Sequence, residues 1–135
     1  MPAWSNLNKL CLALVSIKDH KNDFNLELLS SYVRLNKYKM LDGWMRRYFA
    51  EILLNLNSLH MPEAEHWIQE AIEGDQRNEM ILHLAKDYAL YAEIVQRKGD
   101  FSKGRETLEK AIEIFKQCGA DGWVEKYERE LASLA

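Results

Sequence analysis

Four histidines (His20, His60, His66, His83), two cysteines (Cys11, Cys118) and the glycine-bounded stretch Gly99-Asp100-Phe101-Ser102-Lys103-Gly104-Arg105 are the residues of this chain whose types can carry chemistry. Histidines ligate metals or move protons, thiolates act as nucleophiles, and glycine loops cradle phosphates. The spacing supports none of these. No HExxH or HxxxH arrangement is present, although Glu79, His83 and Asp87 would share one helix face at i, i+4, i+8, and Glu63, His66 and Glu70 form a similar set. Both sets read as solvated helix faces. In the glycine stretch Arg105-Glu106 replaces the Lys-Ser/Thr pair, and Glu106 would repel a phosphate, so a turn between helices explains it better. The cysteines are far apart in sequence and have no CxxC partner, which reads as reduced thiols filling a core. No catalytic, cofactor-binding or metal-binding residue is assigned, and the expectation is that the chain is not an enzyme.

Composition agrees. The 135 residues are 47% hydrophobic and 29% charged, with only two prolines and six glycines, the balance of one helical globular domain. A net charge of −3 lacks the basic footprint of a nucleic-acid binder. No apolar run reaches the ~20 residues of a membrane span. The apolar stretch Leu10–Ile17 is followed by Lys18-Asp19-His20-Lys21 where small cleavage-site residues would stand, so a cytoplasmic location is expected, without nucleic-acid or membrane partners. Charge is unevenly spread: residues 1–60 hold eight Lys/Arg and five Asp/Glu, whereas residues 61–135 hold ten and sixteen. Arg34, Lys37, Lys39, Arg46 and Arg47 cluster around Tyr32, Tyr38, Trp44 and Tyr48, which reads first as a solvated face over core aromatics and second as a patch for an acidic peptide or, after that, a phosphate-rich ligand.

The elements that would position these groups repeat. Asp42-Gly43-Trp44 with Tyr48 is echoed by Asp121-Gly122-Trp123 with Tyr127, 79 residues on, and the segment 61–73 aligns with 101–113 at an offset of 40. A period near 40 with helical patterning signals an α-solenoid. Apolar spacing and caps predict seven helices, at about 6–18, 23–39 (capped by Asp23), 43–57, 62–73 (stopped by Gly74), 78–98, 102–117 (capped by Ser102) and 121 onward. Small residues (Ala64, Ala71, Ala92, Gly104, Ala111) stand where helices must approach closely.

Tyr88, Tyr91, Ala92, Gly99-Asp100-Phe101, Gly104, Leu108 and Ala111, with Tyr48, Ala64, Ile68 and Ala71 in the preceding unit, resemble the tetratricopeptide repeat. The Cys118-Gly119-Ala120-Asp121-Gly122-Trp123 ending is similar to C-terminal repeat tails of bacterial multidomain signalling proteins. The resemblance implies an all-α fold, a right-handed superhelix of antiparallel helix pairs. It divides the single domain into a degenerate first unit (1–41), a second (42–80), a third (81–119) and a C-terminal capping helix (120–135). It also implies a concave groove lined by the first helix of each pair, with Arg46, Phe49, Leu53, Lys86, Leu90, Glu93 and Arg97 as groove residues.

The first helix carries Leu7, Leu10, Cys11, Leu12, Ala13, Leu14, Val15 and Ile17, apolar almost all round, and such a helix expects cover on both sides. The expected function is a non-catalytic protein-interaction module, part of a larger signalling protein, that docks a protein or peptide segment in the groove. The alternative is an oligomerisation or packing element that forms a homodimer through Leu7, Leu10 and Leu14.

Overall fold

Apolar residues recurring every three to four positions, with few prolines to interrupt them, favour helices that bury one stripe each. The computed structural model describes residues 3–18 and 25–134. Among these residues the chain forms seven α-helices: α1 (Ala3–Lys18), α2 (Leu26–Arg34), α3 (Lys39–Leu56), α4 (Met61–Arg77), α5 (Ile81–Arg97), α6 (Phe101–Gln117) and α7 (Asp121–Ser133). A single 3₁₀ turn, Ser58–His60, joins α3 to α4. Helices α3 to α7 pack in sequential antiparallel order, each against the next, and α1 lies chiefly on α3. Among the described residues no helix is long and apolar enough to cross a membrane.

Local chemistry sets the ends. Asn25, not Asp23, caps α2, its side chain accepting the Leu28 N–H at 3.1 Å; Asp23 lies outside the described residues. Asp100 rather than Ser102 caps α6, accepting from the Lys103 N–H at 3.1 Å. Pro62 sits in the first turn of α4, where its missing N–H costs nothing. Gly74 does not stop α4, which continues to Arg77. The turns after α4, α5 and α6 share one hydrogen-bonded form, in which the amides of Met80, Asp100 and Ala120 reach back to the carbonyls of Asp75, Val95 and Phe115. The left-handed position of that turn is held by Gly99 (φ 93°), Gly119 (φ 68°) and, in the first case, the non-glycine Glu79 (φ 58°).

The core is continuous with this order. Ala64, Ala71, Ala92 and Ala111 are buried, so the helices close together where their side chains are smallest. Cys118, expected in the core, is instead the exposed C-cap of α6, while Cys11 is half-buried. Leu7, Leu10 and Leu14 are buried within the main core cluster, together with Ile17, and are not available to a second copy. The helical period turns Leu12 and Val15 to the opposite side of α1, and these are the exposed residues, at 67% and 53%. Helix α7 has no fully buried residue; Val124, Tyr127, Leu131 and Leu134 pack one-sidedly onto Leu108, Ile112 and neighbours.

Candidate functional site

Helices α3, α5 and α7 are alternate members of the antiparallel series, so they run in the same direction and present equivalent positions to one surface. Between them lies a groove of about 430 Å³. Arg47, Lys86 and Lys126 line it, spaced 39 and 40 residues apart, one cation from each helix. Each lies over an aromatic ring: Arg47 over Tyr48 at 5.8 Å, Lys86 over Trp123 at 5.1 Å, and Lys126 over Trp123 and Tyr127 at 5.2 and 5.1 Å. Such contacts orient Lys86 and Lys126 without neutralising them.

Further along the same helices come Glu51, Glu93 and Glu130, which also line the groove. They converge on one phenol. Burial pushes the Tyr127 hydroxyl up to about 12, and Glu130, Glu93 and Glu51 add to the effect. The groove is therefore polar along its length, with cations toward the helix N-termini and carboxylates toward the C-termini. Leu90, Ala92 and Leu108 form apolar floor between them.

Arg47 has a second role beneath the groove. It is buried, and its Nη1 donates to Asp87 Oδ1 at 2.9 Å; Asp87 is wholly buried. Asp87 Oδ2 and both oxygens of the buried Asp75 receive no N–H or O–H from other groups among the described residues. The two carboxyls instead face each other, and a hydrogen bond between them exists only when one carries a proton. Burial raises Asp75, against the opposing pull of its bond to Asp87 and of Arg47. Burial and the bond to Asp75 raise Asp87 well above the usual carboxylate range, against Arg47. A proton shared between the two carboxyls would relieve their repulsion and leave a single negative charge facing the guanidinium.

Two further groups complete this buried cluster. Arg47 Nη1 donates to the His83 carbonyl at 3.3 Å, and its Nη2 lies 3.3 Å from His83 Nδ1. Because a guanidinium only donates, Nδ1 accepts, which leaves the ring proton on Nε2. Burial lowers His83 to about 4, with Arg47 and Lys86 acting in the same direction. The ring stacks on Trp44 at 4.8 Å. Burial, then Arg47, also lowers Lys86. Gly43 makes room for all of this, since a Cβ there would overlap the Asp75 carboxylate.

Of the groove residues expected from the sequence, Lys86, Leu90 and Glu93 do line it. The α3 set does not. Arg46 faces α4, where it pairs with Asp42 at 3.0 Å and with Glu70. Phe49 is buried edge-on against Trp67 at 4.9 Å, and Leu53 is buried in the core. The helix is rotated so that Arg47, Tyr48 and Glu51 take the groove positions. Arg97 lies beyond the groove, donating to the Leu54 carbonyl at 3.4 Å and to Glu93 at 2.6 Å. Glu79 falls in the turn before α5, so the Glu79-His83-Asp87 face does not form. His66 pairs with Glu70 at 3.1 Å and His60 with Glu63 at 3.8 Å. Among the described residues no group of three or more His, Cys, Asp or Glu is placed to hold a metal.

The basic patch is divided rather than continuous: Arg34 lies over Trp67 at 5.3 Å, Arg47 is buried, Lys37 stands on the linker before α3 and Lys39 is the first residue of that helix. The cation ladder and the buried Arg47-Asp87-Asp75 cluster went unread in the sequence. The near-40 spacing of Arg47, Lys86 and Lys126 was the signal that would have found the ladder. Comparison with protein-family models, with curated proteins and with solved structures returns no match.

Proposed function

We propose that this chain is a non-catalytic docking module, a tetratricopeptide-like right-handed solenoid that takes a segment of a partner protein in the groove of α3, α5 and α7. The observation that carries the reading is the ladder of Arg47, Lys86 and Lys126, one cation per helix pair on a common surface, each set over an aromatic ring. A repeated position favours an elongated ligand, because each helix pair then contributes an equivalent contact. The charge order sets direction: acidic residues of the partner meet Lys86 and Lys126, and basic residues meet Glu51, Glu93 and Glu130. Apolar side chains anchor on Leu90, Trp123 and Tyr127.

Selection from a randomised peptide library displayed against the purified protein tests this reading. The enriched peptides are expected to carry Asp or Glu at one end and Lys or Arg at the other. The Lys86→Glu, Lys126→Glu double variant, changed only at incompletely buried positions, should lose them. Enriched peptides without charge order, or equal retention by the double variant, would overturn the reading.

A second reading, self-association, rests on the exposed Leu12 and Val15 of α1. Sedimentation velocity would show a dimer that Leu12→Glu with Val15→Glu disperses; a monomer at all concentrations removes it.

A further inference from the structure

On the flank away from the groove, the linker before α3 and the N-terminal halves of α3 and α5 enclose a cavity of about 590 Å³, within the ~300–1,000 Å³ range of small-molecule sites. Its walls are Tyr38, Met40, Leu41, Trp44 and Met80, and its polar members are Lys37, Lys39 and His83. Among the described residues no carboxylate lines it. Tyr38 and Met40 are 60% and 66% exposed, a large apolar surface for a monomer to leave uncovered.

The walls are built rather than incidental. Asn36 clasps the linker on both sides of Tyr38, its Oδ1 accepting the Tyr38 N–H at 3.2 Å and its Nδ2 donating to the Tyr38 carbonyl at 2.9 Å. Asn78, the C-cap of α4, donates to the Lys39 carbonyl at 3.1 Å. Trp44 is fixed by its stack on His83, and His83 by Arg47. Lys37, Tyr38 and Lys39 form a ridge whose other side is a smaller cavity of about 380 Å³, where Arg77 supplies another cation. The acid among its described lining residues, Asp42, is already paired with Arg46.

We propose that this flank binds a small amphipathic carboxylate, its aliphatic or aromatic body lying between Trp44, Met40 and Met80 and its anionic group at Lys37 and Lys39. Apolar walls alone would accept a neutral molecule as well. The two lysines, with no carboxylate among the described lining residues to offset them, select an anion. Aliphatic thioether side chains such as Met40 and Met80 adapt to either an alkyl chain or a ring. The site is independent of the groove reading, since none of its residues lines the groove.

Sodium decanoate and decanol, titrated separately against the isotopically labelled protein below the micellar range and followed by NMR, test the proposal. Decanoate should shift the Trp44 indole and the Met40 and Met80 methyl signals saturably, and decanol should bind at least tenfold more weakly. Lys37→Glu with Lys39→Glu, both exposed, the first on the linker and the second opening α3, should weaken decanoate by tenfold or more and leave decanol unchanged. Lys126→Glu in the groove should alter neither. Equal binding of acid and alcohol, shifts located elsewhere, no saturable shift, or a second protein copy covering the flank that decanoate does not displace would each overturn the assignment.

Discussion

Arg47 and Asp87, forty residues apart and on the alternate helices α3 and α5, form an ion pair at 2.9 Å in which the carboxylate is wholly buried and the guanidinium nearly so. Burying the pair is costly in itself, but removing one member leaves the other charge without compensation. Asp87→Ala should therefore lower stability by about 3 kcal/mol in urea denaturation. Asp75→Asn should behave in the opposite sense at neutral pH. Its amide would donate to Asp87 Oδ2 at every pH, whereas the native carboxyl can do so only when protonated. That variant is expected to gain about 1 kcal/mol, and a loss as large as that of Asp87→Ala would sink the shared-proton account.

The two Asp-Gly-Trp segments give a matched comparison. A Cβ at Gly43 would overlap the buried Asp75 carboxylate, whereas a Cβ at Gly122 meets nothing within 4 Å. Alanine is favoured over glycine in a helix by about 1 kcal/mol, and overpacking a core costs about 1–3 kcal/mol. Gly43→Ala should thus be destabilising in thermal unfolding and Gly122→Ala neutral or stabilising. Equal effects at the two glycines would refute the steric argument.

Glu79 occupies, at φ 58°, the left-handed turn position that glycine fills at Gly99 and Gly119. A side chain there costs about 1 kcal/mol or more relative to glycine. Glu79→Gly should raise the melting temperature, with no change in the amide signals of the groove residues. A lower melting temperature would mean that the Glu79 side chain holds the turn through contacts that outweigh the strain.

Legibility differed by residue. Helices were readable because their stripes and end signals are local: Asp121 does begin α7, and the small residues Ala64, Ala71, Ala92 and Ala111 are indeed buried. The rotation of α3 was not readable. Leu41, Met45, Phe49, Ile52 and Leu53 are all buried, because α1, α2, α4 and α5 surround that helix, and an apolar pattern on nearly every side fixes no face. Phe49 and Leu53 were accordingly expected in the groove, where Tyr48 and Glu51 stand. Asp75 and Asp87 were unreadable for a different reason: a single sequence gives charged residues no mark of burial, and only Gly43, opposite Asp75, hinted that something needed the space.

The pH response follows from the same cluster, and its components oppose each other. His83 is held at about 4, below its ordinary 6.5, so it contributes stability fully present above pH 6.5 and lost as the pH falls toward 4. At about 1.4 kcal/mol per unit, less a discount for partial exposure, this is worth about 2 kcal/mol. Asp75 and Asp87 lie above their ordinary 3.8, so the pair contributes stability fully present below that value and lost as the pH rises through its folded range. Between about pH 4 and 6.5 the parent protein should therefore show a shallow profile. His83→Gln removes the imidazole while keeping an amide acceptor for Arg47, and its stability should rise as the pH falls across that window. Asp75→Asn removes the shared proton, and its stability should drop more steeply than that of the parent. Urea midpoints measured across the window for all three proteins decide the matter, and parallel profiles would show that neither group titrates in the folded state as assigned.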